Sequence, residues 1–176
     1  METVKKLNEI EFGKVFTIGD HKFIKFDEVD GAVFAVSRDV LSNSRFGKNN
    51  DLRTSDVLAK LKTDVLPKIE AAIGAENVLE FDTDLTSLDG SKKYGIMRSK
   101  ISLPTFDFYR ANRAVFERYN PDAWWWLATP HSTNTHVDYN WVRCVSPSGG
   151  IVDGYRCGNN YGVRPFCIFK SNIFVS

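Results

Sequence analysis

The chain has 176 residues, 23 of them basic and 22 acidic, for a formal charge of +1. That length can bury a core as one domain, residues 1–176, and the near-zero balance gives no electrostatic case for nucleic acid or an anionic membrane. The opening METVKKLNEIEFGK has no apolar run of signal-peptide length, and no segment approaches the roughly 18 apolar residues of a membrane span, so a soluble chain without export signal or membrane insertion is expected.

From Glu9 to Ser37 short apolar runs (VFTI, HKFIKF, AVFAVS) are separated by Gly19-Asp20 and Asp30-Gly31. In HKFIKF, Phe23, Ile24 and Phe26 nearly alternate with Lys22 and Lys25, and Asp-Gly is a hairpin signal, so a three-stranded antiparallel meander is predicted. Arg38 to Asn50 is polar and reads as a surface loop. Thr54 or Ser55 then caps a helix carrying Val57, Leu58, Leu61, Val65, Ile69 and Ile73 at a spacing near four. Pro67 removes a donor inside it, which predicts two short helices or one kinked helix ending near Gly74.

VLEF (Val78 to Phe81) is a strand or a buried turn, and Asp82 to Gly95 reads as a flexible polar excursion. Thr105 caps a second helix, with Phe108, Tyr109, Val115, Phe116 and Tyr119 on one side, that ends before Asn120-Pro121 and packs on the sheet. Beyond Trp124 every signal is β. Thr135 to Val145 alternates Val137, Tyr139, Trp141 and Val145 against His136, Asp138 and Asn140, and turns at Ser146 to Gly150 and Gly158 to Asn160 lead into YGVRPFCIF. No internal repeat or domain boundary interrupts this α+β pattern.

Neighbouring strand side chains point to opposite sides, so Trp124, Trp125 and Trp126 cannot share one face. Two of them are read as core between the sheet and the Thr105 helix, and the third as lining a ligand face or an oligomer contact. Arg164, before Pro165, is read as holding the last strand against a buried acceptor. Cys144, Cys157 and Cys167 are an odd set. A Cys144–Cys157 bridge between neighbouring strands fits disulfide geometry, and reduced, partly buried thiols are the preferred reading.

Nucleophilic catalysis needs a nucleophile, a base and an orienting group in contact. Cys144, His136 and Asp138 or Asp153 supply the atoms, but eight residues along one strand set His136 and Cys144 about 26 Å apart. His131, His136 and Asp138 offer nitrogen and oxygen donors at a spacing unlike a compact zinc site. Gly149-Gly150 and Gly158 lie between strands, not before a helix, so they form no phosphate cradle. No catalytic residue, metal or cofactor is predicted. The remaining candidate is a ligand-binding face of His131, Ser132, Thr133, Asn134, His136, Asp138, Asn140, Asp153, Tyr155, Asn159 and Asn160, whose aromatic and adaptable polar side chains have a paratope-like composition. A solvated sheet face with ordinary turns is the competing reading.

The order KISLPTFDFY, WWWL, SPSGGIVDGYR and YGVRP resembles the DUF6273 family, over roughly residues 10 to 170. The resemblance implies a C-type-lectin-like fold, antiparallel strands with two helices and a β-rich C-terminal third. It also implies kinship with the variable proteins of diversity-generating retroelements, in which diversified asparagine codons yield Ser, Thr, Asp, His, Tyr, Arg or Gly on a ligand-binding face. The Glu-Pro-Asn and Trp-Asn-Asp triplets of calcium-dependent sugar-binding lectins are absent. GYRC (Gly154–Cys157) resembles a fragment of formylglycine-generating enzymes, which makes a cysteine-dependent enzyme the rival to a binding protein, and a structural virion or oligomer component is a third class. The expectation is a non-enzymatic display protein, in a phage or bacterial setting, that recognises a protein or glycan on a cell or particle surface and is able to oligomerise.

Overall fold

A computed structural model describes residues 4–134 and 140–176, with the backbone alone at 152–155. After Lys5–Lys6 (β1), the strands Val15–Ile18 (β2), His21–Val29 (β3) and Ala32–Ser37 (β4) pair as the predicted meander. Asp30 and Gly31 take φ of +51° and +76°, the left-handed pair that lets a two-residue turn match the strand twist. Alternation fails once, where the register of β3 shifts between Lys25 and Asp27. Lys25, expected on the wet face, is therefore only 1 % exposed. Its ammonium donates to the Leu7 carbonyl (3.2 Å) and to Glu28 Oε2 (2.6 Å), which supplies the partners that a buried cation requires.

The expected loop after Ser37 contains a strand, Ser42–Arg45 (β5), antiparallel to Asn160–Val163. Backbone pairing, not an apolar side-chain pattern, fixes it, so composition gives no sign of it. Ser55 then caps Asp56–Lys60 (α1), its Oγ accepting from Leu58 N at 3.0 Å. The chain widens into a π-turn at Leu61–Val65 before Leu66–Ile73 (α2). Pro67 has no N–H to return to the preceding turn, and the wide turn absorbs that loss without a break.

Val78–Leu79 (β6) leads to Phe81–Asp84 (β7), which forms a hairpin with Ile96–Ser99 (β8). The expected flexible excursion is thus a hairpin whose connection buries Leu85, Ser87 and Tyr94. Thr105 caps Phe106–Ala111 (α3), and Asn112 separates it from Arg113–Arg118 (α4). The remaining strands are Trp125–Pro130 (β9), Trp141–Val145 (β10), Ile151–Arg156 (β11), Asn160–Val163 (β12), Phe166–Lys170 (β13) and Phe174–Val175 (β14). Of the long strand predicted over Thr135 to Val145, residues 135–139 lie outside the described residues.

The protein is mixed α+β. Among the described residues the strands form two five-stranded sheets, β2-β3-β4-β13-β6 and β11-β10-β9-β12-β5, and the ribbons β1-β14 and β7-β8. The alternation of each sheet feeds two separate cores. Phe23, Ala35, Cys167 and Phe169 face Val57, Leu61 and Ile69 of the first helical layer, with Trp126 and Ala128 from the second sheet. Ile24, Val36, Phe166 and Ile168 face Tyr109 and Phe116 of α3 and α4, with Trp125 and Leu127. Adjacent tryptophans therefore anchor opposite cores. Trp125 packs under the Thr105 helix as expected, stacked on Phe116 at 5.6 Å, whereas Trp126 points away from that helix, edge-on to Phe46 at 5.6 Å. Each indole removes on the order of 200 Å² from water, worth about 5 kcal/mol as an upper value. Trp124 is half-buried and stacks on Tyr161 at 5.7 Å.

The two direct connections between the large sheets, β4 to β5 and β12 to β13, pass side by side. Ser37 N donates to Pro165 O (2.9 Å) and Leu41 N to Val163 O (3.0 Å). Arg164 sits between them, fully buried, with Nε donating to Ser37 O at 3.0 Å. Its guanidinium lies 4.6 Å from the Trp125 ring centre and 5.7 Å from that of Phe116. Burial pushes its pKa down to about 10, so it remains charged at neutral pH. Gly162 lies against the Trp124 carbonyl, to which its own N–H donates at 2.7 Å, and an added Cβ would lie 2.9 Å from that oxygen and from Val40.

Arg164→Ala is expected to destabilise the fold by about 3 kcal/mol, and Arg164→Lys to restore less than half of that, since an ammonium cannot stack as a plane. Gly162→Ala is expected to lose about 2 kcal/mol by forcing β12 off β9. Urea denaturation midpoints measure all three.

Candidate functional site: an apolar cleft

The segment 101–106 runs between the two sheets. Ser102 exchanges backbone bonds with Phe166 (3.0 and 2.8 Å), Ala128 N donates to Pro104 O (2.8 Å), and Phe106 N donates to Thr129 Oγ1 (2.9 Å). These bonds hold Leu103 to Phe106 beside β13 while the β7-β8 hairpin stands opposite, and a cleft of about 620 Å³ opens between them. Phe166 is its centre, with ring centres of Phe81 and Phe108 at 5.0 Å and Phe34 at 6.1 Å. The size is within the usual range for small-molecule sites.

On β7, Phe81 and Thr83 are buried and Asp82 and Asp84 are exposed, and all four line the cleft. Thr83 is 4 % exposed, and its Oγ1 has no hydrogen-bond partner among the described residues. An unpaired buried hydroxyl costs about 1–3 kcal/mol, which the packing around the hairpin offsets. At the mouth, Asp82 is paired with Arg98 at 3.0 Å and Asp107 with Arg110 at 3.0 Å. Asp84 instead accepts from Thr86 Oγ1 (2.6 Å) and Thr86 N (2.9 Å). Those two bonds, the hydroxyl first, hold its carboxyl below the usual carboxylate range, with Lys92 reinforcing them.

The residues expected on the binding face have several fates. Ser132 and Thr133 are each 6 % exposed, because the connection between β7 and β8 packs on them: Thr133 Oγ1 bonds Ser91 Oγ at 2.6 Å, and Leu88 N donates to Pro130 O at 2.9 Å. His131 is half-buried, its Nδ1 accepting from Arg143 Nη1 at 3.1 Å. Asn134 and Asn160 are exposed, Asn140 and Asn159 half-buried. Backbone bonds draw some of these together, from His131 N to Trp141 O (2.9 Å) and from Cys157 N to Asn140 O (2.7 Å). Asp153 and Tyr155 lie on β11, where the backbone alone is described, and His136 and Asp138 lie outside the described residues.

Sequence reasoning missed Asn50, which is fully buried. Its Nδ2 donates to Ser132 O (2.6 Å) and Trp141 O (3.0 Å), and its Oδ1 accepts from Tyr94 (2.7 Å). One amide thus joins the β5 side, the hairpin connection and the chain after β9. Nothing in FGKNND marks it out. The FDTD alternation points Thr83 inward, but the polar run that follows masks it.

The three cysteines carry thiols and are buried. Burial pushes the Cys157 and Cys167 thiols up, the reverse of what activates a nucleophilic cysteine. Among the described residues no three His, Cys, Asp or Glu side chains gather as a metal-holding group, and no helix is long and apolar enough to cross a membrane.

The architecture defines a mixed α+β protein with an aromatic cleft between a sheet, a hairpin and a helix. Residues 80–171, over half of the chain and all of that cleft except Phe34, match the family described as "Domain of unknown function (DUF6273)", and the chain belongs to that family. No curated protein and no solved structure matches it.

Asn50→Ala is expected to lower stability by about 2–3 kcal/mol by orphaning buried carbonyls and the Tyr94 hydroxyl, with hydrogen exchange rising first at Ser87 to Tyr94. Iodoacetamide is expected to label Cys157 and Cys167 more than about tenfold more slowly in the native protein than in denaturant, as read by mass spectrometry.

Proposed function

We propose that this protein is a non-covalent ligand-binding module whose ligand occupies the cleft between the β7-β8 hairpin, β13 and α3. The observation that carries this is an aromatic cavity of about 620 Å³ lined by Phe81, Phe106, Phe108 and Phe166 and edged by Asp82, Asp84 and Asp107. Apolar rings supply affinity, and the polar groups at the mouth supply orientation. In a fragment screen by ligand-observed NMR, apolar fragments are expected to bind the wild-type chain. Phe106→Ala and a cleft-filling Leu88→Trp are both expected to weaken them about tenfold. Fragment binding that neither substitution affects would move the site elsewhere.

A second reading assigns recognition to the C-terminal surface of a C-type-lectin-like display protein diversified by a retroelement. It draws support from the α+β architecture and from the exposed Asn134, Arg156 and Asn160 near the bonded His131, Asn140 and Asn159 segments. Sequencing the surrounding DNA tests it. A reverse transcriptase and a near-copy of codons 128–165 differing at adenines are the expected finds. The cysteine-dependent enzyme has least support, given the buried Cys144 and the buried Cys157 thiol that burial pushes up.

A further inference from the structure

We infer that the cleft selects an organic cation, an aryl- or alkylammonium whose apolar body lies on Phe81, Phe106 and Phe166 while its nitrogen meets Asp84 at the mouth. The inference rests on the cleft being the binding site and adds the class of ligand. Three observations carry it. First, of the carboxylates lining the cleft, Asp82 and Asp107 are already ion-paired with arginines, whereas Asp84 has hydrogen-bond donors but no ion-pair partner among the described residues. Its charge is therefore held in place by neutral donors, with Lys92 acting on it from outside the cleft lining. Second, the rings of Phe81, Phe106 and Phe166 line the same cleft as Asp84, which gives the apolar body of the ligand its surface. Third, the cleft already receives a cation of its own: the Arg110 guanidinium lies 5.4 Å from the centre of the Phe106 ring, so that ring face stands where a positive charge is stabilised.

An anionic ligand would meet three aspartates against one lining arginine, and a neutral one would leave Asp84 unused. Lys92, the nearby cation that acts on Asp84, does not line the cleft. Asp84 remains ionised from mildly acid to neutral pH, because the Thr86 hydroxyl and amide hold its carboxyl below the usual carboxylate range. An amine keeps its proton over the same range, so affinity is expected to stay flat between about pH 5 and 8.

The test titrates the full chain with phenethylamine, phenethyl alcohol and phenylacetate, followed by calorimetry and by NMR shifts of Leu88 and Phe106. Phenethylamine is expected to bind about fivefold tighter than the alcohol, the worth of one partly screened ion pair, and phenylacetate weakest. Asp84→Asn should remove the preference while leaving the alcohol's affinity intact, and Asp84→Lys should turn the preference toward phenylacetate. Position 84 is exposed, and a thermal melt verifies that both variants fold. Equal binding of all three probes, with shifts at Leu88 and Phe106, overturns the cation preference and leaves the cleft as the site. Binding without shifts there, or no binding by any probe, overturns both.

Discussion

The Arg164 guanidinium sits where the two direct connections between the large sheets, β4 to β5 and β12 to β13, run side by side, and the relative placement of those sheets depends on it. Taking a cation out of water costs several kcal/mol, and no carboxylate among the described residues pairs with this one. Compensation comes from the Trp125 and Phe116 ring faces and from the Ser37 carbonyl. Arginine suits this setting because its charge is delocalised, weakly hydrated and flat enough to stack. Gly162 completes the crossing by letting β12 approach the Trp124 backbone.

The cleft follows from that crossing. Pro165 and Phe166 come directly after Arg164, so the ring at the centre of the cavity is set by the same turn that joins the sheets. Ser102 then bridges Phe166 and brings the Thr105 cap and α3 alongside. The hairpin wall is secured from the far side, where Asn50, Tyr94, Ser91 and Thr133 bond its connection to the chain after β9. Ser132 and Thr133 thus act on the cleft from behind it.

Much of the framework was legible in the chain. The Asp-Gly turn, the near-four spacing after Ser55, the Thr105 cap and the β pattern after Trp124 are local signals, because each depends on backbone geometry or periodicity within a few residues. The structural part of Arg164 was legible too, since a charged residue inside an apolar strand motif needs a buried acceptor. Three expectations gave way to longer-range effects. Lys25 is buried through a bulge, Ser42–Arg45 is a strand through pairing with β12, and Asp82 to Gly95 is tied down by residues about forty positions away. Sequence pattern carries no register and no partner, so none of these had a local mark.

The sequence by itself determined which segments extend or coil, which side chains must be hidden, and the family to which the chain belongs. Only the tertiary structure decided which core each tryptophan enters, that Ser132 and Thr133 lie beneath a hairpin connection, and that Phe81, Phe106 and Phe166 converge beside an unpartnered hydroxyl. Alternation fixes the two sides of a strand but not what stands opposite each side. A cleft belongs to the space between elements, and that space exists only once the sheets, the hairpin and the helix have been brought together.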